Sequence, residues 1–303
     1  MTVRLGINPI GWTNDCLHWL GDFISLDQCL SEAKQAGFSG VELGRKFPRQ
    51  AGKLGPILKK HGLSLVSGWY SAELLRRDSK TEIAAMKDHL TLLSALKSNV
   101  MVFAETTGEI ILNAAAAASS RPKLNTAAEW KQLGQRFTEC ANHMQDKGVR
   151  MAVHHHMGTV VESAEDIDHL MASTGPSVGL LLDTGHAVFA GADPVALAKK
   201  YIGRIVHVHC KDIRKDMLAK ARQENLSFLN AVLQGTFTVP GDGMIDYLPV
   251  LSVLARANYS GWLVVEAEQD PAKAHPLTYA KLGYRNLHDL AVKAGLLQEK
   301  KRA

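Results

Sequence analysis

Strand-like and helix-like segments alternate eight times along the chain, and that alternation leaves few folds open. The run Leu5–Asn8 leads to a helical segment, Ser25–Gln35, that stops at Gly37. Seven further strands follow, at Ser39–Leu43, Leu63–Gly68, Asn99–Ala104, Val149–Val153, Val178–Leu182, Arg204–Val208 and Trp262–Val265. Helical segments lie between them at Leu54–Lys60, Lys80–Leu96, Ala127–Asp146 and Ala164–Ala172. Another starts near Pro194, and Pro276–Lys293 closes the series. The strands are short, continuous and rich in Val, Ile and Leu, as strands buried on both faces of a parallel sheet must be. Eight β-α units predict an α/β protein with a closed (βα)8 TIM barrel rather than an open doubly wound sheet. No GxGxxG follows the first strand, which removes the best support for a dinucleotide-binding fold.

A chain of 303 residues without a linker or a shift in composition is expected to form one barrel domain over residues 1–303. Its longest interruption is the connection 211–246 between strands seven and eight, within which Lys215–Asn225 reads as a helix. The net charge of +5 is spread thinly, and the only dense basic run is Lys300-Lys301-Arg302. That is no footprint for nucleic acid. Four cysteines without a CxxC pair read as free thiols in a reducing compartment. No stretch has the length of a membrane span, so a cytoplasmic protein without membrane contact is expected.

The chemistry gathers where strands end. Val178–Leu182 runs into Asp183, Arg204–Val208 into His209, and Trp262–Val265 into Glu266. Side chains at the carboxyl ends of separate strands meet at the mouth of a parallel barrel. Asp, His and Glu together suit Mn²⁺, Co²⁺ or Zn²⁺. Asp183 could equally cap the helix that follows it. Strand five supplies the fourth ligand from His154 or His156, with Glu162 in the next loop as a third choice. His207 shares a face with His209 and reads as a core histidine. Glu42, Trp12, Asn14 and Trp69 stand after strands one to three, where aromatic walls and a few polar groups suit a small polyol. Asp242, in the tight-turn signal Gly241-Asp242-Gly243, reads either as a holder of substrate hydroxyls or as part of a plain turn.

These residues carry a likeness. Asp183-Thr-Gly-His186, His207-Val-His209-Cys-Lys211-Asp212 and Glu266 resemble the xylose-isomerase-like barrel superfamily, which includes ketose epimerases, hydroxypyruvate isomerase and endonuclease IV. Within it, Gly6-Ile-Asn8-Pro-Ile-Gly11-Trp12, Gly40-Val-Glu42-Leu-Gly44-Arg-Lys46 and Val66-Ser-Gly-Trp69-Tyr70 resemble the inosose dehydratase family. The resemblance covers about residues 4–290. It implies metal-dependent dehydration of 2-keto-myo-inositol, a Co²⁺ or Mn²⁺ cofactor and an association with glutathione. Asn8 joins the substrate contacts on the same ground. Epimerases of the superfamily place a Glu at the end of strand five, as ligand and base; here His154 stands there, which takes one carboxylate from that mechanism. A dehydratase would need a base, for which His156 and Glu266 are the choices, and an acid, for which Lys46 and His186 are. The rival enzyme is a metal-dependent ketose 3-epimerase or isomerase. The expected partner is a small polyol or keto-cyclitol, and self-association into a homo-oligomer stays open.

Overall fold

The chain closes on itself at the pairing of its first and last barrel strands. The structure, a computed structural model, describes residues 3–298. Barrel strands β1 (Arg4–Ile7), β2 (Gly40–Leu43), β3 (Ser64–Ala72), β4 (Val100–Glu105), β5 (Arg150–His154), β6 (Val178–Asp183) and β7 (Ile205–Cys210) run in chain order. Two short strands, β8 (Asp212–Ile213) and β9 (Phe237–Thr238), form an antiparallel ribbon outside the ring. The last strand, β10 (Trp262–Val265), pairs in parallel with β7 and β1 and completes the eight-stranded barrel.

The inward faces are fitted by size. Trp262, Val66 and Val264 pack together at the lower end, and Val100, Val102, Ala152 and Leu181 pack beside them. The indole fits because glycine stands opposite: a Cβ on Gly40 would lie 2.6 Å from the Trp262 ring. The outward faces meet the helices in the main core, which contains Leu30, Phe38, Leu54, Phe103, Phe137 and Leu254. Helix starts follow local chemistry. Ser25 caps Leu26–Ala36, and Thr126 with Glu129 forms a capping box at the head of Ala127–Asp146.

Three departures from the expected elements matter. The segment read as one helix over Lys80–Leu96 is two, Ser79–Ala85 and Lys87–Ala95, parted at Met86 where ψ opens to −4°. Asp183 caps a short helix, Thr184–Phe189, directly at the end of β6. The connection 211–246 is folded throughout: it holds the ribbon and the helices Lys215–Gln223 and Phe228–Leu233. A further outer helix, Tyr247–Arg256, precedes β10. Phe228, Leu229, Val232 and Phe237 of the connection join Ile111, Met157 and Phe189 in a core of their own. These last residues follow β4, β5 and β6, so the connection roofs the carboxyl end of the barrel. Among the described residues no helix is long and apolar enough to cross a membrane.

Candidate metal centre

Parallel pairing in register lifts four side chains to one level. His154 ends β5, Asp183 ends β6 beside His209 on β7, and Glu266 follows β10. Asp183 accepts the His186 amide on Oδ1 at 2.8 Å, so it does cap its helix, and this leaves Oδ2 facing inward. That oxygen lies 3.6 Å from His154 Nε2 and 3.6 Å from His209 Nδ1. Glu266 Oε2 touches His209 Nδ1 as well. One ligand atom from each of the four lies within 4.8 Å of the others. His154 Nε2, Asp183 Oδ2, His209 Nδ1 and Glu266 Oε2 are all buried, and beyond these ion-pair contacts with one another and with Lys211 none has a hydrogen-bond partner. Buried polar atoms left this way are costly, and more so for carboxylates. Two imidazoles and two carboxylates aimed at one point fit a divalent cation.

Glu42 orients this group. Its carboxylate takes His209 Nε2 at 3.2 Å and His207 Nε2 at 2.9 Å, and accepts from Ser67 Oγ at 2.5 Å and Asn8 Nδ2 at 2.8 Å. His209 thereby keeps Nδ1 for the centre, the arrangement by which a carboxylate fixes the tautomer of a ligating histidine. The centre's charges follow from the same contacts. Burial and the neighbouring imidazoles hold His154 well below the usual imidazole range, so it is neutral. Burial opposes a charge on His209 too, yet Glu266 and Glu42 raise it well above that range. In the metal-free chain a proton on His209 does part of what a cation would do.

A second buried group adjoins the first. Lys211 Nζ lies 2.6 Å from Glu268 Oε1, 2.9 Å from His186 Nε2, and 3.7 Å from both Asp183 Oδ2 and Glu266 Oε1. Burial disfavours its charge, but Glu266, Glu268 and Asp183 outweigh that and keep it protonated. His186 stands against His156, ring centroids 4.0 Å apart. His156 Nδ1 donates to the Met157 carbonyl at 2.7 Å, which leaves Nε2 unprotonated. Burial pushes Glu268 up, only partly offset by Lys211. Above both groups opens a cavity of about 600 Å³ lined by Asn8, Trp69, His156, His209, Glu266 and Glu268, among others.

Several expected site residues lie elsewhere. Lys46 Nζ donates to the carbonyls of Asp22 and Ile24, away from the cavity. The Trp12 indole is buried and donates to Glu32 at 2.6 Å, so it packs rather than walls the mouth. Asn14 is spent on the amides of Cys16 and Leu17. Asp242 pairs with Arg214 at 2.6 Å and accepts from Thr238, fastening the ribbon. Glu162 accepts the Gly158 amide at 2.8 Å and faces Arg121, outside the ligand group. Each sits in a loop whose backbone or cations need a local acceptor or donor. Glu42 and Asn8 border the cavity and bond to each other, while Glu42 also holds His207 and His209. Trp69 does form a wall, edge-on to His154 and His156. In sequence Lys211 stands out only as part of the run His207-Val-His209-Cys-Lys211-Asp212. Its position two residues beyond His209 places it on the same inward face, which is the signal that could have found it.

Comparison with known proteins gives the same architecture. Residues 30–289 match the family described as xylose isomerase-like TIM barrel. The rhizopine catabolism protein MocC of Rhizobium meliloti is 50% identical over 295 residues, 97% of this chain and 90% of that protein. The inosose dehydratase of Clostridium tetani is 43% identical over 279 residues, 92% of this chain and 94% of that protein. Among solved structures, the IOLI protein with a binding zinc atom superposes with a TM-score of 0.64 at 18% identity, over 96% of this chain and 99% of that one. The probable 3-DHS dehydratase AsbF of Bacillus anthracis does so with a TM-score of 0.67 at 16% identity, over 94% and 99%. At such identities these two structures speak for the fold alone.

Two outcomes follow from this geometry. Glu42→Gln should lower metal affinity by about 10–100-fold through the loosened His209, as for outer partners of metal-binding histidines. Metal titration by calorimetry checks it, and unchanged affinity with a raised KM would return Glu42 to a substrate contact. The second concerns acid. Burial holds His154 and His186 well below the usual range, His155 at about 4 and His156 at about 3. The unfolded chain protonates these rings first, so their stabilisation is complete above about pH 6.5 and is lost as the pH falls below it, by about 1.4 kcal/mol per pH unit for each ring. The urea midpoint of the metal-free protein should drop steeply between about pH 6.5 and 5; a flat midpoint there would show that the rings are not neutral.

Proposed function

This chain belongs to the xylose isomerase-like TIM barrel family, and from that premise we propose that it is a metal-dependent hydro-lyase. Its substrate is 2-keto-myo-inositol (scyllo-inosose), its product a trihydroxycyclohexane-1,2-dione, and its setting inositol catabolism. Inosose dehydratases at 43% and 44% identity over 92% of the chain support the substrate. The observation that carries the chemistry is the convergence of four buried ligand atoms, two nitrogens and two oxygens, at the floor of the cavity.

His154, Asp183, His209 and Glu266 would hold the cation, and two nitrogen and two oxygen donors suit Mn²⁺ or Co²⁺. Bound there, the cation supplies Lewis acidity at a ketone oxygen, worth several kcal/mol of enolate stabilisation. The remaining steps belong to side chains. Trp69 offers a flat apolar wall to a six-membered ring. His156 Nε2, left unprotonated by the bond from Nδ1 to Met157, takes the α-proton. The C–H electron pair becomes the new double bond as the β-carbon–oxygen bond breaks. Glu268, pushed toward its neutral form by burial and bordering the cavity, protonates the departing hydroxyl, which leaves as water. Lys211 and His186 stand behind this pair and keep its charges balanced. Glu268 replaces both acids expected from sequence, since Lys46 points away and His186 faces Lys211.

The deciding experiment adds Mn²⁺ or Co²⁺ to metal-stripped protein with 2-keto-myo-inositol and follows the absorbance of the conjugated enol-dione. A metal-dependent rise is expected. Substrate recovered as a different epimer, with no absorbance, would place the chain among the epimerases instead. Asp183→Asn should lose tight metal binding and on the order of 10³-fold in turnover, equivalent to about 4 kcal/mol. His156→Gln should keep its metal and lose about 10²–10⁴-fold in kcat; full activity would remove His156 as the base.

A further inference from the structure

The opposite end of the barrel, where the strands begin, holds a second cavity of about 400 Å³. Its inner wall is apolar and includes Val100, Val206 and the indole of Trp262; Arg4, Arg150, Asn99 and Ser260 supply its polar lining. Arg4 opens β1 and Arg150 opens β5, which stand four strands apart whichever way the ring is followed. Two guanidinium groups therefore reach this pit from opposite sides of the barrel. No acidic residue lines it, and neither arginine pairs with a carboxylate among the described residues. Both arginines are solvent-exposed, so water screens their repulsion, and an anion lying between them would meet two positive charges at once.

The details favour one kind of anion. The Arg4 guanidinium stacks on the Trp262 ring, 3.9 Å from its centroid. Stacking uses the flat face and leaves the in-plane N–H groups free for a paired contact with oxygens. Arginine forks of this kind match the oxygens of a phosphate two at a time. Asn99 adds an amide that can donate to a third. The pit shares no lining residue with the catalytic cavity, and the packed barrel interior around Val66, Val102 and Leu181 lies between the two.

We propose that this pit binds the phosphate group of a small molecule, gripped by Arg4 and Arg150 over the Trp262 indole. Nothing in the reaction at the other end calls for it, so it is a separate site. The experiment is isothermal titration of the full-length, metal-loaded protein with inorganic phosphate and with glucose 6-phosphate at low ionic strength, because salt screens such contacts. Arg4→Gln and Arg150→Gln are titrated alongside, and Trp262 emission is recorded throughout. Saturable binding is expected, weakened at least about tenfold by either substitution and accompanied by an emission change that Trp262→Phe abolishes, with metal-dependent turnover unaltered in both arginine variants. Tighter binding of the ester would assign the rest of the pit to an organic moiety; equal binding would assign the site to inorganic phosphate. Either supports the phosphate site. No saturable binding, or binding that survives both substitutions, overturns it, the latter because the anion then sits elsewhere, as on the metal.

Discussion

A carboxylate with no exposed surface at the end of β6 sets the terms for everything around it. An ionised group there needs hydrogen bonds and positive charge close by, or the fold loses several kcal/mol. Asp183 receives both. One oxygen takes the amide at the start of its own helix; the other faces His154, His209 and Lys211. Each of those is then buried too and brings its own needs: Glu42 for His209, Glu268 for Lys211. The site is thus a chain of compensations that starts from one strand end. The two carboxylate oxygens and two imidazole nitrogens that converge at its centre mark where one more positive charge fits.

Enclosure is the second condition, and the connection between β7 and β10 provides it. Asp212 acts as its peg: its carboxylate accepts the amides of Ile213, Ile245 and Gly241. Gly243 comes so near that a Cβ there would lie 2.1 Å from Asp212 Oδ1. Around that peg the ribbon and two helices fold into a small core that roofs the histidine group, with Phe228 against His156 and His186. Water is kept from the back of the site, and electrostatic contacts gain strength where water is excluded.

How far the sequence could be read depended on periodicity. A buried strand repeats every two residues, so its end and its inward positions are visible, and His154, Asp183, His209 and Glu266 stand at such ends. Loops have no period. In sequence Asn14 and Asp242 look like substrate contacts, Glu162 like a ligand and Lys46 like an acid, yet each satisfies a nearby backbone group or cation. Asx-type and ion-pair contacts of this sort are common wherever a chain turns. The short helices Thr184–Phe189 and Phe228–Leu233 carry no readable period because six residues make fewer than two helical turns. Their stability comes from caps and packing, which only the assembled structure displays.

The direction of the chemistry turns on how burial acts on unlike groups. Moving a proton off one carbon and back to its other face calls for two groups of similar proton affinity, and a pair of carboxylates in like surroundings would serve. Here the same loss of solvent drives the two groups apart. An imidazole loses its proton when buried, and His156 falls to about 3; a carboxyl gains one, and Glu268 rises. Environments that separate titratable neighbours in this way are those of paired acids and bases, the roles proposed for Glu268 and His156. With His154 in place of a carboxylate at the end of β5, no second matched base is supplied from that strand. An unprotonated imidazole beside a carboxyl whose proton affinity burial has raised is suited to taking one proton and giving another to a different atom, as loss of water from a β-hydroxy ketone demands.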